Sequence, residues 1–264
     1  MNVFRRELKA NRKALVIWSI CMILLVISGM GKYTAYSSGG ASADVFNSMP
    51  FSLKVLLGIG SFDVSKISGF FAFLFPYLEI TVAVHAGLIG TSIIAKEEID
   101  KTAEFLMVKP ISRTAVVMAK LSAALLNILV LNLVTFLSSI AIVAAYNKGE
   151  SITKEIVLLF ISMFVVQIIY FSVGSFFAAL LTQSKGAGSL TMAVLLSGFI
   201  LSKVTSLTSH LDILNVLSPF TYFNIEDVVN KGSLNLIILF AGCVLSATLL
   251  FACNHFYNRR NLNV

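Results

Sequence analysis

Six stretches of this chain stay apolar for long enough to cross a bilayer as helices, and that recurrence constrains the fold more than any other feature. They cover residues 14–30, 68–95, 114–146, 156–181, 189–207 and 234–253. A hydrocarbon core about 30 Å thick needs about 20 apolar residues of helix. Barrel strands would instead alternate apolar and polar residues over shorter segments. Composition agrees, because 57% of the residues are hydrophobic and 12% charged, about half the charged share of a soluble domain. A disordered chain and a single soluble domain are thereby excluded. The expected fold class is an all-α polytopic membrane protein with six transmembrane helices in one domain spanning residues 1–264. An amphipathic interfacial helix over residues 1–13 precedes the first span, and a further helical segment, residues 96–113, joins the second span to the third.

Charge sets the expected orientation. With both termini in the cytoplasm, the inner side holds Arg5, Arg6, Lys9, Arg12, Lys13, Lys96, Lys101, Lys109, Arg113, Lys120, Lys185, Arg259 and Arg260. The outer side keeps Lys32, Lys54, Lys66, Lys148, Lys154, Lys203 and Lys231. This bias follows the positive-inside rule. The net charge of +7 therefore reflects topology and contact with anionic lipid, and it calls for no nucleic acid.

Other features say less. Arg5-Arg6 before an apolar stretch, with Ala41-Ser42-Ala43 beyond it, imitates a cleaved export signal. Hydrophobicity sustained along the whole chain favours a retained interfacial helix, with Val3, Phe4 and Leu8 at the lipid surface. Cys21, Cys243 and Cys253 all lie in apolar runs and form no metal-ligand spacing. In the outer loops, residues 51–59 are apolar enough to lie along the membrane. Ser218-Pro219-Phe220 interrupts any helix before the last span, where a re-entrant turn is conceivable against protein or water.

The segment over residues 96–113 reads Lys-Glu-Glu-Ile-Asp-Lys-Thr-Ala-Glu-Phe-Leu-Met-Val-Lys-Pro-Ile-Ser-Arg. Most of it is expected to be helical. Glu97 and Lys101 stand four apart in the favourable order, while Ile99, Ala103, Leu106 and Met107 share one face. Pro110 ends that helix and Ser112 caps the next. An amphipathic piece on the cytoplasmic surface needs lipid or a partner's groove for its apolar residues.

These residues resemble the segment after the second helix of type-2 ABC transporter permeases, in the runs Glu97-Glu98, Lys101 to Leu106 and Lys109 to Arg113. Six spans, a basic N-terminal helix, Leu217-Ser218-Pro219-Phe220 before the last span and the basic tail at Arg259-Arg260 extend the resemblance over essentially the whole chain. Lys101 departs from it, standing where many members have glycine. The resemblance implies that residues 96–113 are a coupling helix docked on a separate ABC ATP-binding subunit, present in two copies. That subunit would carry the ATP and Mg, since this chain holds no cofactor of its own and no G-x-x-x-x-G-K-[ST] loop. A second permease copy, identical or related, is implied as well. The implied function is the membrane subunit of an ABC exporter, non-catalytic itself, in the plasma membrane of a bacterium.

On this reading Phe105 and Leu106 anchor in the partner's groove, with Thr102 and Pro110 shaping the segment. Glu97, Glu98 and Glu104 fix its orientation, and Arg113 pairs with one of these acids or with lipid phosphate. Glu79 is the one acid inside an expected span and so a candidate for the substrate pathway. The alternatives are a break at Pro76 that leaves Glu79 near the outer interface, and a pair with Lys203. His85 lies about 120° around the helix from Glu79 and forms no joint site with it. Gly174, Ser172 and Ser175 would permit close helix approach. The competing class is an ATP-independent channel or secondary transporter, which would need its own intramembrane ion site. An intramembrane protease is disfavoured by the absence of H-E-x-x-H. Cargo stays open among peptide, drug, lipid and ion.

Overall fold

Residues 3–37, 48–58, 62–102, 111–147, 151–181 and 184–260 are described by a computed structural model. Among them the regular structure is wholly helical, and six helices are long and apolar enough to cross a membrane. The first is α1, Val3–Met30. The expected interfacial helix and first span are thus one continuous rod, because nothing between Asn11 and Ala14 breaks a helix. At 1.5 Å per residue, 28 residues reach about 42 Å, so the basic first turns stand beyond a hydrocarbon core of about 30 Å. Met22, Val26 and Met30 form an i, i+4 stripe buried on the bundle, whereas Ile17, Ile20, Leu24 and Ile27 face outward.

Among the described residues two short helices follow, α2 (Tyr33–Ser37) and α3 (Phe51–Leu57). Gly58 closes α3 in the left-handed conformation at φ 83°, and the Tyr77 hydroxyl donates to the Leu57 carbonyl at 2.8 Å, pinning α3 over the next long helix. Before that helix the Ser65 hydroxyl donates to Asp63 at 2.5 Å, and this bond holds the exposed Asp63 carboxyl below the usual carboxylate range.

α4 (Ile67–Ile99) and α6 (Thr153–Leu180) form the centre of the bundle and are the most buried of the spans. Pro76 lies inside α4 without ending it, so the break considered above does not form. The two helices approach through small residues. A Cβ on Gly174 would lie 2.5 Å from the Gly87 carbonyl oxygen, one on Gly90 would strike the Phe171 carbonyl, and the Ser175 hydroxyl donates to the Gly90 carbonyl at 3.3 Å. The close approach expected of Gly174 and Ser175 is what the structure uses.

α5 (Arg113–Tyr146) begins at the cap expected of Ser112, whose hydroxyl accepts from the Ala115 amide at 3.3 Å. α5 and α6 share a buried polar bond, the Asn132 amide donating to Gln167 at 2.8 Å. α7 (Ser184–Thr205) packs on α4, with Thr91 and Thr191 hydroxyls 3.2 Å apart. The connection to the last span is a 3-10 run, Ser209–Leu217, a shorter one at Pro219–Thr221, and α8 (Ile225–Lys231). α9 (Leu236–Arg259) starts at an Asn235 cap and lies on α6 with much of its apolar surface outward, Ile237 and Phe240 included.

Candidate coupling site at the basic end of the bundle

Connectivity brings the start of α1, the end of α4, the start of α5, the end of α6 and the end of α9 to one end of the molecule, and charged side chains join them there. Glu97, on the last turn of α4, is the hub. It is 4% exposed, accepts from Arg6 Nη2 at 2.9 Å and takes a short hydrogen bond from Lys120 Nζ. Lys120 itself is fully buried on α5 and donates also to the Ile93 carbonyl at 2.7 Å. Arg6 reaches Glu7 at 2.8 Å as well, and Lys96 Nζ lies 3.6 Å from the other Glu7 oxygen. Three cations thus interleave with two carboxylates, the arrangement buried charge requires if each desolvated group is to keep a counterion.

A second knot adjoins the first. Arg260 Nη2 donates to Glu98 at 2.7 Å and its Nη1 to the Ala178 carbonyl at 2.9 Å. Ala178 belongs to the last turn of α6, whose carbonyls lack helical partners and favour a cation. Arg113 Nη1 donates to the carbonyls of Arg260 at 2.9 Å and Asn258 at 3.3 Å. Asn258 in turn donates to the Thr114 hydroxyl at 3.0 Å. Arg113 Nη1 therefore ties the start of α5 to the end of α9, while Glu104, one of the acids expected to pair with it, lies outside the described residues.

The structure turns Glu97 and Glu98 inward, onto partners within the chain. The expected Glu97–Lys101 pair along one helix does not form, because α4 ends at Ile99. Lys101 sits beyond the cap with φ 53°. The Lys101 amide donates to the Glu98 carbonyl at 3.3 Å and the Thr102 amide to the Glu97 carbonyl at 2.8 Å, the two bonds of a Schellman ending. Its left-handed position is the one the resemblance gives to glycine. Thr102 is thereby fixed by its backbone at the exit of α4. Glu104, Phe105, Leu106 and Pro110 lie outside the described residues. Sequence reasoning missed Arg6, Glu7, Lys120 and Arg260 as members of one site, although a lysine at residue 120, next to an apolar run, signals a buried counterion nearby.

At the opposite end Glu79 is buried on α4, 5% exposed, and lines a cavity of about 430 Å³ with Lys203, Phe199, Ser206, Asn215 and Phe220. No ion pair joins Glu79 to Lys203 among the described residues. His85 faces a different space, edge-on to Trp18 with ring centroids 5.2 Å apart. Phe70, Phe71 and Phe75 are packing residues of the core. No group of three or more metal-ligating side chains gathers among the described residues. No curated protein matches this chain. Compared with known families, residues 1–251 match the model described as ABC-2 family transporter protein.

Proposed function

This chain belongs to the ABC-2 transporter family, and we propose that within it the chain is the membrane-spanning subunit of an ATP-driven exporter. Family membership makes it a multi-pass membrane transport protein. The basic end faces the cytoplasm, since it gathers most of the Lys and Arg. Residues 96–113 dock there on a separate ATP-binding subunit that holds ATP and Mg. Two such subunits and a second permease copy complete the transporter, and ATP-driven closure of the subunits tilts the membrane helices.

One observation carries the mechanism. Both anchors of the segment, Glu97-Glu98 before it and Arg113 after it, belong to a network of ion pairs and hydrogen bonds that joins α1, α4, α5, α6 and the end of α9. A push on residues 103–110 would reach α1, α4, α5, α6 and α9 as one body, because breaking any buried pair is costly. In this reading Glu97 and Glu98 orient the segment from within the chain, while Glu104, Phe105 and Leu106 meet the partner. Thr102 and Pro110 set its turns.

A photo-crosslinking amino acid in place of Phe105 tests this, with one in place of Ile213, exposed at the opposite end, as the control. Irradiated membranes are expected to yield an adduct of the chain with an ATP-binding subunit from position 105 and none from 213. The reverse pattern, or an adduct from neither, contradicts the proposal.

A further inference from the structure

The cavity at the end opposite the charge network holds an acid and a base that make no ion pair with each other among the described residues. Glu79 projects into it from α4, buried and without a hydrogen bond or ion pair among the described residues. Lys203, near the end of α7, borders the same space with its ammonium 5.3 Å from the centroid of the Phe199 ring. It too has neither a hydrogen bond nor an ion pair among the described residues. Gly58, at the end of α3, borders the same space, and a Cβ there would lie 3.4 Å from that ammonium. A buried carboxylate without a bonded partner is costly, and with Lys203 half-buried on the same cavity a ligand carrying both complementary charges would meet both groups.

The rest of the lining suits such a ligand. Ser206 and Asn215 add hydroxyl and amide groups, Phe199 and Phe220 add apolar walls, and about 430 Å³ falls in the range of small-molecule sites. Glu226, in the first turn of α8, lines the cavity and adds a further negative charge. Nearby the Tyr170 hydroxyl is buried without a hydrogen-bond partner, its ring 5.2 Å from that of Phe220.

We propose that this cavity binds a zwitterionic group, a primary ammonium on Glu79 and an anionic oxygen group on Lys203. A free amino acid and the headgroup of an ethanolamine phospholipid share that chemistry. The ammonium brings N–H donors for charge-assisted bonds to the carboxylate, which a quaternary ammonium lacks. The site stands on the geometry of the chain alone and holds whether or not ATP drives the protein.

The test is calorimetric titration of the purified chain with free leucine and, separately, with short-chain phosphatidylethanolamine. N-acetyl-leucine, leucine amide and short-chain phosphatidylcholine serve as blocked probes. Binding of leucine alone assigns the site to a free amino acid, and binding of the ethanolamine lipid alone assigns it to a headgroup. Either result supports the proposal if the matching blocked probe binds at least about tenfold more weakly, a difference of about 1.4 kcal/mol. Glu79→Gln and Lys203→Met are each expected to weaken binding similarly. The blocked probes act on the unaltered chain, so the test survives a variant that misfolds. If neither probe binds, if blocked and free probes bind alike, or if Glu79→Gln alters thermal stability and not affinity, the two charges serve only each other and the proposal falls.

Discussion

Lys120 shows what a single buried charge demands. Its ammonium is fully buried and held by Glu97 and one backbone carbonyl. Lys120→Met takes from Glu97 its one fully buried partner, and loss of one partner of a buried pair costs about 3–5 kcal/mol. Thermal unfolding in detergent is expected to drop accordingly, and adding Glu97→Gln to Lys120→Met is expected to recover most of the loss. A double variant as unstable as the sum of the singles would mean that the residues do not act as a pair. Lys101 makes the opposite case. A non-glycine residue at φ 53° carries a strain of about 1 kcal/mol, so Lys101→Gly is expected to raise the unfolding temperature by relieving it. A lowered temperature would count against the Schellman ending.

Among the elements, the contact of α4 with α6 sets how the bundle closes. Gly174 seats against the Gly87 carbonyl and Gly90 against Phe171, so Gly174→Val must part the two central helices. Overpacking of this kind costs about 1–3 kcal/mol. Gly186, with open space where its Cβ would lie in α7, provides the comparison, and Gly186→Ala is expected to leave the unfolding temperature unchanged or slightly raised. Equal stability of the two variants would show that α4 and α6 do not meet at Gly174. This contact was partly legible in the sequence, since small residues amid large apolar ones mark a close approach. The elements themselves were legible because a bilayer-spanning helix must be long and apolar. What periodicity could not foretell was where α1 and α4 would run on past the membrane. Lys, Arg and Glu are good helix formers, so the change from apolar to charged residues near Lys13 and Lys96 alters the helix's surroundings without ending it.

For the molecule as a whole, topology does what local sequence cannot. Arg6 meets Glu97 across 91 positions and Arg260 meets Glu98 across 162, and only the alternating course of the spans brings them to one end. The sequence therefore disclosed that this end is basic, and it left hidden which cations hold which acids. Near-neighbour reasoning paired Glu97 with Lys101, whereas the bundle has a buried lysine to balance and takes Glu97 for it. At the other end the sequence offered Glu79 and Lys203 as a pair, but the cavity that holds them apart appears only when α4 and α7 pack. If ATP hydrolysed on a partner drives this bundle through residues 96–113, ATPase activity must accompany the chain when it is purified from native membranes in mild detergent. Vanadate-sensitive hydrolysis is expected in stoichiometric company with the chain, and is expected to be lost from preparations of Phe105→Asp. A chain that purifies without hydrolysis and conducts ions in an ATP-free bilayer would contradict it.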